Sequence, residues 1–313
     1  MLKLTITQMK VFVVLFLLCC GKAQAAPDWY VLLSARNQPD SGPYLAHPNN
    51  VGVSLRRTWR EVNPAPGVYD WSYLDREIQK VINSGKGCTI RVLTGVNAPN
   101  WIYSQGVQSF ETSAGVMPVP YDPTLMNLWG QFVRQMGLRY GHLSAVKAVH
   151  VAGPTWRSAE MHLPSNIQNL PGYSHQKVIN AWTFSTAAFA DAFPDASIVL
   201  NISRAVATRD NIPESAAAAA VNGLMGRAAL QFNAMKCDSN LNWRIPNLLA
   251  FYASMGVPTG AQMVRTFNND AIVSCAVAQT SYFGASYVEV YSADSPSGQT
   301  ETEPPPRRRR RRR

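Results

Sequence analysis

Short apolar runs recur along this chain, and stretches of helical length separate most of them. The runs are Tyr30–Ser34, Gly52–Arg56, Cys88–Leu93, Val146–Ala152, Ser197–Asn201, Ala229–Asn233, Ala261–Val264 and Ser286–Tyr291. Each has the length and bounded apolar character of a buried strand. Between them, Tyr73–Ser84, Pro123–Tyr140, Gln176–Phe193, Pro213–Gly226, Pro246–Met255 and Asp270–Phe283 read as helices. Asp122-Pro123 and Asn211-Ile212-Pro213 put a capping residue just ahead of a first-turn proline, which marks a helix start. The helix between the first two runs is missing or degenerate, because residues 36–50 are rich in Pro, Asn and Gly. Strands alternating with helices predict a parallel sheet. Eight of them predict an α/β fold of the (β/α)8 TIM-barrel type in a single domain. An open doubly wound sheet is the competitor, but no glycine-rich phosphate loop follows the first strand.

Barrel chemistry collects at the C-terminal ends of the strands, and period-two alternation tells which side chains face the lumen. In the second strand Ser54 and Arg56 share a face opposite Val53 and Leu55. In the last, Tyr287, Glu289 and Tyr291 share a face opposite Val288 and Val290. The valines belong against the helices, so Glu289 is expected in the lumen. A carboxylate there is costly unless it is paired or functional.

The two ends alter the picture of charge. Lys3 and Lys10, the apolar run Val11–Cys20 and the small-x-small site Ala23-Gln24-Ala25 read as a cleavable signal peptide over residues 1–25. The run is too short to span a bilayer comfortably. Cys19 and Cys20 hint at a lipoprotein signal, though the residue before Cys20 does not suit one. Export to a secreted or periplasmic location is the expectation. Residues 26–294 form the barrel domain, and residues 295–313 read as a disordered Pro/Arg tail. The chain has 29 basic and 19 acidic residues. Ten of the basic residues are Lys3, Lys10, Lys22 and the seven terminal arginines, and two of the acidic ones are Glu301 and Glu303. The body is therefore near +2, and the high pI gives no reason to expect nucleic-acid binding by the folded domain. The tail is either a contact for anionic surfaces or an extension without a role. Cys88, Cys237 and Cys275 remain in the body, enough for one disulfide at most. Cys88 and Cys275 sit in apolar contexts and read as buried thiols. No zinc spacing, Walker loop, H-E-x-x-H or G-x-S-x-G motif is present, and no cofactor or metal is expected.

The segment 51–75, VGVSLRRTWREVNPAPGVYDWSYLD, resembles the second strand, loop and helix of the barrels of retaining glycoside hydrolases. There a strand-end arginine and aromatic residues line a sugar cleft. Ala-Pro-Asn-Trp at Ala98–Trp101 and Tyr121-Asp122-Pro123 extend the resemblance. It implies a secreted glycosidase acting on a poly- or oligosaccharide with two carboxyl groups, one protonated and one ionised. Of Glu61, Glu77, Glu111, Glu160, Glu214 and Glu289, only Glu160, after the fourth strand, and Glu289, near the end of the eighth, have that address. Two departures from the family pattern stand out. Ala159, not asparagine, precedes Glu160. The seventh strand reads GAQMVRTF, with Gln262 where the nucleophile normally lies. The expectation is Glu160 as general acid/base and Glu289 as nucleophile. The alternatives are a loop carboxylate bonded to amides or to Arg157, and a lumen ion pair of Glu289 with Arg56 or Arg91.

Trp59, Trp101, Trp156 and Tyr291 offer flat faces for sugar C–H surfaces. Arg56, Asn233 and Gln262 lie at strand ends, placed to bond hydroxyls. His150 reads as a satisfied core histidine, and His162 is a weaker site candidate. The competing functional readings are a glycan-binding barrel without catalysis and a surface adhesin using the arginine tail.

Overall fold

The computed structural model describes residues 26–206, 210–224 and 226–295. The expected signal peptide and nearly all of the arginine tail lie outside the described residues. Among the described residues there are ten strands. They are β1 (Asp28–Leu32), β2 (Asn50–Thr58), β3 (Gly87–Leu93), β4 (Ser109–Thr112), β5 (Gly115–Pro118), β6 (Val146–His150), β7 (Ser197–Ile202), β8 (Ala228–Met235), β9 (Thr259–Met263) and β10 (Tyr287–Tyr291). All but β4 and β5 close into a barrel in the order β1-β10-β9-β8-β7-β6-β3-β2, each pair parallel. This is the (β/α)8 barrel, with every expected strand in place. Strands β4 and β5 form a separate antiparallel hairpin on the β3 side, which the sequence reading did not anticipate.

The helices are α1 (Gly42–Ala46), α2 (Trp59–Val62), α3 (Ser72–Ser84), α4 (Trp101–Ser104), α5 (Pro123–Tyr140), α6 (His175–Ala192), α7 (Ile212–Gly223), α8 (Arg244–Ser254) and α9 (Asp270–Gln279). Asp122 caps α5 as expected, its Oδ1 accepting the Leu125 amide at 2.9 Å. At α7 the cap differs. Asn211 makes no side-chain cap bond, and Asp210 accepts the Ile212 amide at 3.2 Å instead. The degenerate first connection holds only the five-residue α1. It is fastened by Glu77 of α3, whose Oε2 accepts from the Ser41 amide at 2.9 Å and hydroxyl at 2.7 Å.

The lumen is filled from the bottom upward. Ala148, Val199 and Ala229 make a small plug of their own. Beside it Tyr30 and Tyr287 meet edge to face, with ring centroids 6.2 Å apart. The rings fit because glycines stand next to them. A Cβ on Gly260 would lie 2.2 Å from the Tyr287 ring, and one on Gly52 would lie 2.8 Å from Tyr30. Outside the strands, Val53, Leu55, Cys88, Ile90, Val92, Val288 and Val290 are buried beneath the helices. The alternation inferred for the second and last strands is therefore the observed one.

The segment 51–75 works chiefly as a clasp. Asn63 Nδ2 donates to the Ala65 and Val68 carbonyls, both at 2.8 Å. Trp71 stacks on Tyr69 and Phe132. Asp75 then takes Arg139 and Tyr140 at the end of α5, with the Tyr140 hydroxyl at 2.9 Å. Two neighbouring helices are thus locked together outside the barrel. Cys237 and Cys275 form a disulfide, Cα to Cα 5.0 Å, so Cys275 is not the buried thiol the sequence led us to expect. Cys88 is a free buried thiol, as expected.

Candidate active site

The polar residues of the lumen form two tiers. The lower tier centres on Glu289, which is 0% exposed. Its Oε2 accepts from Arg91 Nη2 and from Gln231 Nε2, both at 2.7 Å. Oε1 lies 3.3 Å from His150 Nε2. Strand register explains the meeting. Glu289 stands opposite Gln262 of β9, and Arg91 stands opposite Arg56 of β2. Arg91 Nη1 donates to Gln262 Oε1 at 2.6 Å. His150 Nδ1 is 3.0 Å from Asn201 Oδ1, and the Tyr287 hydroxyl is 2.7 Å from Gln231 Oε1.

Burial alone would raise the Glu289 pKa. Arg91, then His150, reverse that and hold the carboxyl far below the usual range. Burial and then Arg91 push the His150 pKa down, which favours the neutral imidazole.

The upper tier carries Glu160. The strand β6 ends at His150, and the chain then crosses the top of the barrel. Val96 N donates to the Trp156 carbonyl at 2.9 Å, which pins this crossing to the turn after β3. Gly95 permits the contact. Its φ is +62°, and a Cβ there would lie 2.2 Å from the Trp156 carbonyl oxygen, so a side chain is excluded by both backbone and space. Beyond it the chain runs beside the end of β7. The Met161 amide donates to the Asn201 carbonyl at 3.3 Å and the Leu163 amide to the Ala205 carbonyl at 2.7 Å, and Glu160 bridges Asn201. Ala159, Met161 and Leu163 are fully buried. In an extended segment this alternation turns Glu160 and His162 the other way.

The Glu160 pKa is raised, first by burial; Arg91, Asn233 and Arg56 oppose the shift without cancelling it. Asn233 is buried and its Oδ1 accepts from Gln231 Nε2 at 2.8 Å. Gln231 thus joins Asn233 to Glu289, and both Glu160 and Glu289 feel Arg91. Their environments push them in opposite directions, one toward the neutral acid and one toward the carboxylate.

The other expected site residues divide. Arg56 donates Nε to the Leu33 carbonyl at 2.5 Å, and its guanidinium lies 5.6 Å from the Tyr291 ring centre. Both are part-exposed at the upper tier. Asn233 joins them. Gln262 is buried and its amide oxygen already serves Arg91. Trp156 is part-exposed, with Nε1 donating to Thr112 Oγ1 at 3.1 Å. Trp101 is part-buried, donating Nε1 to the Asn63 carbonyl at 2.9 Å.

Trp59 is a correction. It is 0% exposed and packs on Trp101, Trp129 and Phe132, so it is core and cannot touch a ligand. Tyr287 was expected on the lumen face beside Glu289, whereas Gln231 and Asn201 were missed as members of the lumen network. Gln231 shares the β8 face of Asn233, so the alternation that named one implied the other. Among the described residues no group of three or more His, Cys, Asp or Glu side chains could hold a metal ion. A separate cavity of about 530 Å³ lies between the N-terminal halves of α5 and α6, outside the barrel.

No protein-family model matches this chain, and no curated protein resembles it in sequence. Solved structures do resemble it in shape. The catalytic domain of β-amylase from Paenibacillus polymyxa aligns with a TM-score of 0.61 at 12% identity, over 85% of this chain and 92% of that one. Xylanase B from Clostridium stercorarium F9 aligns at 0.53 and 15% identity, over 85% and 86%. Endoglycoceramidase II from Rhodococcus sp. aligns at 0.53 and 14% identity, over 86% and 73%. At such identities the likeness establishes the fold, a (β/α)8 barrel over most of the chain.

Proposed function

We propose that this chain is an exported glycoside hydrolase acting on a poly- or oligosaccharide, with Glu160 as general acid and Glu289 as its ionised partner. One observation carries the reading. Two carboxyls in one barrel, Glu160 in the upper tier and Glu289 in the tier beneath, have pKa values driven apart, which is how a site assigns an acid and an anion. Glu160, whose pKa burial raises, would hand its proton to the leaving glycosidic oxygen. Glu289 stays anionic against Arg91 and supplies negative charge toward an oxocarbenium-like centre above it. In this conformation Arg91, Gln231 and His150 cover it, so direct attack on the sugar would require that cover to part. The barrel likeness to a β-amylase, a xylanase and an endoglycoceramidase supports the reading at the level of fold.

The second reading is a glycan-binding barrel without turnover. It is favoured by the enclosure of Glu289 and by Gln262 on the seventh strand. Hydrolysis of activated aryl glycosides and oligosaccharides by wild type and Glu160→Gln separates the two. The expected result is turnover by wild type and a loss of about 10²- to 10⁴-fold on natural linkages in the variant. Binding without turnover in both proteins would remove the catalytic reading. The rate of wild type should fall as pH rises through the elevated Glu160 pKa, because the acid form is the working one.

A further inference from the structure

Resting on the hydrolase reading, we infer that the saccharide bound at the mouth is anionic, its uronate or sulfate group held by Arg157 and Arg204 beside Trp156. Four arginines away from the mouth carry an ion-paired carboxylate. Arg139 pairs with Asp75, Arg244 with Glu214, Arg76 with Glu77 and Arg57 with Glu61. Among the described residues, no carboxylate lies within 4 Å of Arg56, Arg157 or Arg204.

Arg157 is also held in place. Its guanidinium stacks 4.1 Å from the Trp156 ring centre, and Nη2 donates to Ser113 Oγ of the hairpin at 3.3 Å. The Trp156 ring is fixed by its bond to Thr112 and meets His162 edge-on at 5.4 Å. Arg204 follows β7, in the segment zipped to His162 and its neighbours. Burial, then Arg204 and then Arg157, lower the His162 pKa, so both guanidinium groups act on one imidazole.

Glu160 stands two residues from His162 on the same face. The mouth therefore holds an aromatic plate, two unmatched guanidinium groups and an imidazole biased toward neutrality. Its one carboxyl, Glu160, is driven toward the neutral form. A neutral sugar would leave those charges unanswered. A sulfate or carboxylate meets arginine with paired, charge-assisted hydrogen bonds, while the sugar ring lies on the tryptophan.

The test uses the whole protein and oligosaccharides of equal length in neutral, uronate-bearing and sulfated forms. Anionic members should show a KM at least about tenfold below neutral ones at low salt, the advantage shrinking in roughly 0.5 M NaCl. Arg157→Ala/Arg204→Ala should raise the KM for the anionic members about tenfold, with a smaller effect on the neutral ones. Arg157→Lys/Arg204→Lys should recover part of the loss. A response to one anionic series alone identifies the group as carboxylate or sulfate. Turnover of neutral members as efficient as, or better than, that of the anionic ones overturns this inference and leaves the hydrolase reading standing. Calorimetric binding of anionic members without hydrolysis, lost in the alanine variant, upholds the anion site and removes catalysis. If no member is bound or cleaved, both fall.

Discussion

Trp59 begins α2 one residue past the end of β2, inside the segment that carries the family resemblance. Its indole is enclosed by Trp101, Trp129 and Phe132. The parity of the strand already contained the answer. Arg56 faces inward with Ser54, whereas Arg57 continues the outward series of Val53 and Leu55, and Trp59 falls on that series. Arg57 indeed lies 5.1 Å from the Tyr73 ring centre, outside the barrel. Trp59→Ala should cost about 3–5 kcal/mol in urea unfolding. A cleft residue would instead weaken sugar binding with the midpoint unmoved. The same parity placed Ser54, Arg56 and Glu289 in the lumen from sequence alone. The lumen ion pair of Glu289 with Arg91 was one of the readings open in sequence and is the one observed, but that Gln231 joins it was not, because residues from strands far apart in the chain meet only when the barrel closes. The partial burial of Glu160 was illegible for a related reason. It depends on Met161 and Leu163 pairing with the end of β7, in a loop with no regular period.

At the level of elements the strands were readable because each is a bounded apolar run, and the helices because caps and prolines announce them. The hairpin of β4 and β5 was not. Its strands have four residues each, and Ser109–Thr112 is mostly polar. Its place is nonetheless part of the candidate site, since Thr112 and Ser113 hold Trp156 and Arg157.

The disulfide was open in sequence, because three cysteines permit several pairings and only the fold brings Cys237 to Cys275. It staples the loop just after β8 to α9, two residues beyond that strand's end. Cys237→Ser/Cys275→Ser should lose about 2–4 kcal/mol of stability, read as a lower melting temperature that reductant no longer shifts. An unchanged melt would mean that α9 is held fully by packing.

For the whole molecule, the two glutamates pull stability in opposite directions. The folded pKa of Glu160 is raised, so folding is penalised once pH exceeds the unfolded carboxyl value, and the penalty is complete above the folded one. Glu160→Gln should therefore melt a few degrees higher than wild type at about pH 8, with the difference vanishing toward about pH 4. A variant that is less stable at pH 8 would mean that the carboxylate is well satisfied as an anion. Glu289 has a depressed folded pKa. Its contribution is complete above the unfolded carboxyl value and is lost only as pH falls toward its own pKa, in strong acid. Glu77, Asp75 and Asp70, also lowered in the fold, act in the same sense. Acid unfolding should thus be shared across the α1, α3 and α5 contacts as well as the lumen.

Cys88 lies on the outward face of β3, opposite Val53 of β2 and beneath the helices. Its thiol is fully enclosed, and burial pushes its pKa up to about 12. In the closed barrel it is thus both unreachable and un-ionised at neutral pH. An alkylating reagent can find it only during moments when the wall between β2 and β3 parts. In a chain beginning after residue 25, where the other two cysteines are joined, the rate of its modification becomes a clock for that breathing. Slow modification that keeps pace with global unfolding would show that the wall bearing Arg56 and Arg91 opens only when the whole molecule does.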